Sequence, residues 1–171
     1  MGCSIGWIVE LLFRRYISAS NRERKWINPG YLRGPWLPLY GFGLLIMFIW
    51  CESVARFQNR FLLFIAILIS MTALEYLAGV ISVKLLNVRL WDYSDEWGNL
   101  DGLICPKFSV IWGMCGVLYY YFLHPTVIYV LGYIDGSAFA RVGIILYFAL
   151  FISDVFHSIK RHKNNGYLTK R

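Results

Sequence analysis

Charge is what this chain has least of. Only 16% of its 171 residues are Asp, Glu, Lys or Arg, where a soluble globular domain carries about 25%. Hydrophobic residues reach 58% and aromatic ones 18%, the mean hydropathy is +0.51, and the apolar residues form long blocks rather than amphipathic stripes. That pattern excludes an ordinary soluble domain. At about 20 apolar residues per membrane-spanning helix, the length fits four to six spans. Cysteine pairing is missing as well: Cys3, Cys51, Cys105 and Cys115 form no CxxC pair and lie in or beside apolar blocks, so they read as small packing residues rather than a disulfide frame or a metal site. There is no Gly-rich phosphate loop, so any ATPase would be a separate subunit. No Ser or Cys nucleophile is recognisably paired with His, and no cofactor is implied. The first apolar block does not read as a cleavable signal peptide, because it holds Glu10 and ends in Arg14-Arg15.

What is present is an all-α integral membrane protein forming one transmembrane domain over residues 1–171, with about five spans. They are placed near residues 2–18, 35–51, 61–83, 103–123 and 139–159, followed by a basic tail at 160–171. The first is short for a span; snorkelling arginines, a trimmed start or a place at the bundle edge would each explain it. His124-Pro125 is expected to end the fourth span, leaving residues 126–138 as an extension or an interfacial segment. The net charge of +7 does not point to nucleic acid, because the basic residues cluster beside the apolar blocks, where they set topology and meet anionic lipid. All but Arg56, Arg60 and Arg141 of the 17 Lys and Arg fall in the two large loops with their flanks and in the tail. The positive-inside rule puts those loops and the C-terminus in the cytoplasm and the N-terminus outside, as in a bacterial plasma membrane.

The two large loops follow similar units. Sixteen positions separate Glu10 from Trp26, and sixteen separate Glu75 from Trp91; eleven separate Gly30 from Gly41, and eleven Gly102 from Gly113. Trp36 then matches Phe108, Tyr40 matches Trp112, and Asn28 matches Asn99 with one insertion. Each unit is helix, loop, helix, giving a parallel repeat of residues 6–51 and 61–123 about an axis along the membrane normal, with the C-terminal helix outside it. Glu75 is the leading site candidate, since a carboxyl deep in an apolar span is costly and is by default a functional hypothesis; the plain alternative is a hydrogen-bonded anchor between helices. Glu10 has Arg14 at i+4 to pair with, so one charged and one neutral carboxyl are expected. Catalytic candidates are limited to these two glutamates. Substrate-binding candidates are Glu10, Trp26, Asn28, Glu75, Trp91, Asp92, Tyr93 and Asn99, whose ring faces and acceptors suit a head group, sugar or cation. The plain alternative for the loop residues is an aromatic belt with Asx turns; Trp97 reads that way, while Trp91, Asp92 and Asn99 read more readily as a site. Asp154 and His157, three apart on a helix, read as a solvated pair more readily than a relay.

Asn28-Pro29-Gly30-Tyr31-Leu32-Arg33-Gly34-Pro35 with Pro38-Leu39-Tyr40-Gly41 resembles one signature, and Trp91-Asp92-Tyr93-Ser94 with Asn99, Gly102, Cys105, Phe108, Ser109, Trp112 and Gly113 a second signature, of the CmpB-type family of small membrane proteins, described as type IV permeases of ABC transporters. Gly6-Trp7 with Glu10, and Glu75 with Gly79, match its helices too, and the likeness runs from residue 6 to 125. It departs at Pro29, where the family usually carries arginine. The resemblance implies a permease. Composition and resemblance together frame three readings. The first is a permease-like protein moving a small or amphipathic solute along a polar path lined by the glutamates, in a homo-oligomer or with a partner membrane or ATPase subunit. The second is an integral membrane enzyme using a buried Glu as general acid or base on a lipid or isoprenoid. The third is a non-catalytic assembly factor. Membrane lipid is a partner in every case.

Overall fold

The computed structural model describes residues 2–18, 21–54 and 59–164. Among them the chain is helical without a β-strand. Five continuous helices are found: α1 Gly2–Tyr16, α2 Pro38–Val54, α3 Arg60–Leu85, α4 Pro106–Gly136 and α5 Ala138–Asn164. Three of these, α3, α4 and residues Ala138–His162 of α5, are long and apolar enough to cross a membrane; α2 is a shorter apolar helix and α1 has 15 residues. Helix α1 packs on α2, α2 on α3 and α3 on α4. The centre is dry: Met47, Cys51, Leu63, Ile67, Met71 and Tyr119 form one buried cluster. The outward faces are apolar side chains left exposed, which water would penalise and lipid does not.

Sequence punctuation misplaces the end of the fourth span. His124-Pro125 does not terminate it; α4 runs on for 31 residues, about 46 Å. Proline lacks an N–H and crowds the carbonyl four residues back. The chain absorbs this by widening one turn, Tyr119–Leu123, in which the His124 N–H reaches the Tyr119 carbonyl in a π-helical bond. Residues 126–138 are therefore mostly an extension of α4, ended by Ser137 in extended backbone. The start also shifts, from 103 to Pro106. Asp101 and Gly102 take positive φ and turn the chain, so Leu103 is buried as a loop residue. A second widened turn, Ile81–Leu85, closes α3.

Helix α5 lies against α1 and the first loop. Ser4 and Tyr147 hydroxyls meet at 3.0 Å, Trp36 sits edge-on to Tyr147 and Phe151, the Gly34 N–H donates to Asp154 at 2.9 Å and the Arg33 N–H to Ser158 at 3.2 Å. Arg14 donates to the Leu90 carbonyl at 3.2 Å, so residues 21–37 (loop 1), residues 86–105 (loop 2) and the C-terminal turns of α5 share one end of the bundle.

Candidate functional site

Two carboxyls anchor the site. Glu10 is half-buried on α1; its Oε1 accepts from Arg14 Nε at 2.8 Å, and its Oε2 from the Tyr40 hydroxyl of α2 at 2.8 Å. Helix geometry brings Arg14 onto the face of Glu10 at i+4. Tyr40 is brought there by close packing: a Cβ on Gly6 would run into the Tyr40 ring, so the glycine lets α2 approach. Glu75 on α3 is only 3% exposed. Its Oε1 accepts from the Tyr93 hydroxyl at 3.0 Å. Its Oε2 is buried with no hydrogen bond of good geometry; the Trp112 side chain lies against the carboxyl in a looser hydrogen bond. Tyr93 is stacked on Phe108 at 4.4 Å, and Trp112 meets Tyr40 edge-on at 5.9 Å. The two glutamates are thus linked: Glu10 through Tyr40 to Trp112, which lies against Glu75, while Tyr93, stacked on Phe108, reaches Glu75 from loop 2. Burial pushes the Tyr93 phenol up, and the Glu75 and Glu10 carboxyls add to it, so Tyr93 keeps its proton and donates.

Loop 2 is folded back against the bundle to deliver Tyr93. Trp91 Nε1 donates to the Leu103 carbonyl at 2.8 Å, and the Tyr93 N–H to the Gly102 carbonyl at 2.8 Å. Asn99 donates to the Ser94 and Glu96 carbonyls while accepting from the Gly102 N–H at 3.1 Å. At Gly102, with φ +67°, a Cβ would meet Arg89, Ser94 and Asp92 at 2.6 to 2.7 Å, so only glycine fits this turn. Asp92 accepts from the Ser94 hydroxyl at 2.5 Å, the Ser94 N–H at 3.0 Å and Arg89 at 2.7 Å.

In loop 1, Asn28 plays the part of Asn99. It accepts from the Gly30 N–H at 3.1 Å and donates to the Leu32 and Arg33 carbonyls, and it also takes the Trp7 indole N–H at 2.9 Å. Of the residues singled out from sequence, the structure gathers Glu10, Glu75 and Tyr93. It uses Trp91, Asp92, Asn28 and Asn99 to fold the loops, and leaves Trp26 at the edge, 56% exposed under the Arg15 guanidinium at 4.2 Å. Asp154 holds loop 1, while His157 bonds its own helix at Ser153, so the two do not form a pair.

A second polar cluster was invisible in the sequence. His124, 6% exposed, meets Glu52 at 3.0 Å and faces Phe48, Tyr119 and Tyr120. It lies fifteen residues along α4 from Ser109, about 22 Å, at the end opposite the loops. No spacing rule links Glu52 to His124 across 72 positions. Among the described residues no group of three or more His, Cys, Asp or Glu is placed to hold a metal.

Two outcomes are expected at loop 2. Tyr93→Phe leaves Glu75 with no phenol donor and costs about 1–3 kcal/mol; thermal unfolding in detergent together with faster amide exchange across residues 91–102 checks it. The Asp92 carboxyl is held below the ordinary aspartate range, chiefly by the Ser94 hydroxyl, with the Ser94 N–H and Arg89 assisting. A depressed carboxyl contributes its stabilisation above the unfolded value, about 3.9, and loses it as pH falls through the folded one. Exchange at Ser94 and Gly102 should therefore accelerate only below about pH 4.

No curated protein and no solved structure is similar enough to match the chain. The family profile described as "Putative ABC-transporter type IV", the CmpB group, matches residues 1–159, and the chain belongs to that family.

Proposed function

We propose that the protein is a proton-coupled permease-like carrier of a small or amphipathic solute, with Glu10 and Glu75 as the groups that exchange protons and solute. The observation that carries this reading is the link between two carboxyls through Tyr40 and Trp112, one paired with the Arg14 cation and the other buried against aromatic side chains with no ion pair among the described residues. Carboxyls in unlike surroundings are how one site divides charged and neutral roles. Support for a parallel repeat comes from the paired patterns: Glu10 with Tyr40 beside Glu75 with Trp112, and Asn28 with Gly30 beside Asn99 with Gly102. With so thin a bundle, a second copy or a partner subunit completes the path.

The test is flux. Proteoliposomes holding a pH-sensitive dye are challenged with ammonium, carboxylate and sugar solutes under an imposed pH gradient. Solute-dependent dissipation in the wild type supports the reading, and no dissipation with any solute overturns it. One observation favours the enzyme reading instead: Cys51, Leu63, Ile67 and Met71 are at most 1% exposed, so the core between the two ends is closed in this conformation. Turnover of an added lipid or isoprenoid by protein that moves no solute would select that alternative.

Orientation is part of the proposal. In a cysteine-free background, cysteine at position 25 or 165 is expected to label only from the cytoplasm, and at position 58 only from outside. Labelling of 25 and 58 from one side would overturn the five-span topology. Positions 58 and 165 lie outside the described residues.

A further inference from the structure

We propose that Glu52 and His124 form a second proton-binding site, at the end of the bundle opposite the loops, where the imidazole holds a proton taken from water. The binding stands apart from the reading of Glu10 and Glu75; its part in coupling, as the proton station on the other side, rests on that reading.

The widened turn of α4 is what builds the site. In a regular helix, residues five apart point about 140° from each other, so His124 would face away from Tyr119. Over Tyr119–Leu123 the backbone bond runs from His124 back to Tyr119, five residues, and this turns the two onto one face. Nδ1 of His124 then lies 3.4 Å from the Tyr119 hydroxyl, and Nε2 lies 3.0 Å from Glu52 Oε1 on α2. Widened turns of this kind are frequent at functional sites.

Both protonation states keep the same partners. An ionised carboxylate only accepts, so Nε2 carries the hydrogen that faces Glu52, and in the neutral ring Nδ1 accepts from Tyr119. An arriving proton forms a second N–H bond at Nδ1, and the Tyr119 oxygen turns to accept it. Neither state strands a ring nitrogen. The Glu52 carboxylate is the counter-charge for the imidazolium. The rings of Phe48, Tyr119 and Tyr120 have centroids 5.5, 5.6 and 6.2 Å from the imidazole, close enough for ring faces to attract a cation. Together these offset the cost of burying a charge.

Access is one-sided. The Glu52 side chain is 53% exposed and that of His124 8%, while Tyr119 behind them is 2% exposed within the dry cluster. A proton held here has water on one side and a sealed interior on the other. The remaining groups at this end are otherwise engaged. Cys51, beside Glu52 on α2, is a fully buried free thiol. From α3, Arg60 donates to the Tyr121 hydroxyl at 3.1 Å and lies over the Tyr120 ring at 4.5 Å. Arg56 lies outside the described residues.

The test uses the full chain in lipid nanodiscs with His157→Gln and His162→Gln, which leave His124 as the one histidine of three. Nitrogen NMR of the isotope-labelled ring reads its protonation state. The neutral ring is expected to become the imidazolium as pH is lowered from about 8 to 5. Adding Glu52→Gln removes the counter-charge and should weaken proton binding about 10-fold, with helicity and elution unchanged. A ring that stays in one state across this range overturns the proposal even where the Glu52 variant misfolds, as does an unchanged curve in a folded Glu52→Gln protein. Proton binding at His124 in a protein that moves no solute sinks the permease reading and leaves this site standing; proton-coupled flux with a ring that never changes state does the reverse.

Discussion

Glu75→Gln is expected to leave the protein folded and to cut proton-coupled flux by about 100-fold or more, within the range that loss of a proton-transferring group commonly costs. Glutamine has the shape of the neutral carboxyl and keeps a carbonyl for the Tyr93 hydroxyl, now 3.0 Å from Oε1. Its amide takes the side of Oε2, which has no hydrogen bond of good geometry and lies against Trp112. Packing against Trp112 is preserved, so stability should change by less than about 1 kcal/mol. What is lost is the exchange of a proton for a solute. Glu10→Gln makes the instructive comparison. It breaks the 2.8 Å pair with Arg14 and frees a cation that also holds the Leu90 carbonyl, so it should disturb loop docking as well as flux. The pair of variants therefore separates a proton-exchanging residue from a structural one. Wild-type flux in Glu75→Gln proteoliposomes would reduce Glu75 to a packing anchor and end the site assignment.

How far the sequence reached can be judged from these residues. The burial of Glu75 and the Glu10–Arg14 pair were legible because they depend on local spacing and on the cost of burying charge. Tyr40 was legible only as the counterpart of Trp112; its bond to Glu10 spans 30 positions and is fixed by Gly6 letting two helices touch. Glu52 fell just past the second span as placed, and His124 looked like a stop. Their contact is purely tertiary, and the stop failed because one widened turn costs the helix less than breaking it would. The loop asparagines were read as candidate ligands or Asx turns, and their hydrogen bonds are those of turns. Residue type alone does not divide those roles, because the same acceptors serve a backbone N–H or a ligand.

The largest loss of stability is expected from Gly116→Leu, at about 3 kcal/mol or more. A Cβ at Gly116 would fall on the Ile67 side chain, and Ile67 is fully buried at 0% exposure in the middle of the dry cluster. A β-branched side chain has little rotamer freedom to yield, and close-packed interiors leave no space to move into. The helices themselves must separate. In a membrane, small residues at a crossing let backbones approach and gain the dispersion contacts that hold helices together, so α3 and α4 lose contacts well beyond the one site. The strain also reaches Glu75. Gly113 packs against Phe64 in the same seam, and the position of Trp112 against the carboxyl follows from the distance between α3 and α4. Flux and stability should therefore fall together. Gly132→Leu supplies the control, because nothing lies within 4 Å of a Cβ there, and its effect should stay within about 0.5 kcal/mol. Unfolding in mixed micelles with increasing dodecyl sulfate measures both variants. A Gly116→Leu protein as stable as Gly132→Leu would mean that α3 and α4 do not meet as described, and the placement of Trp112 beside Glu75 would fall with it.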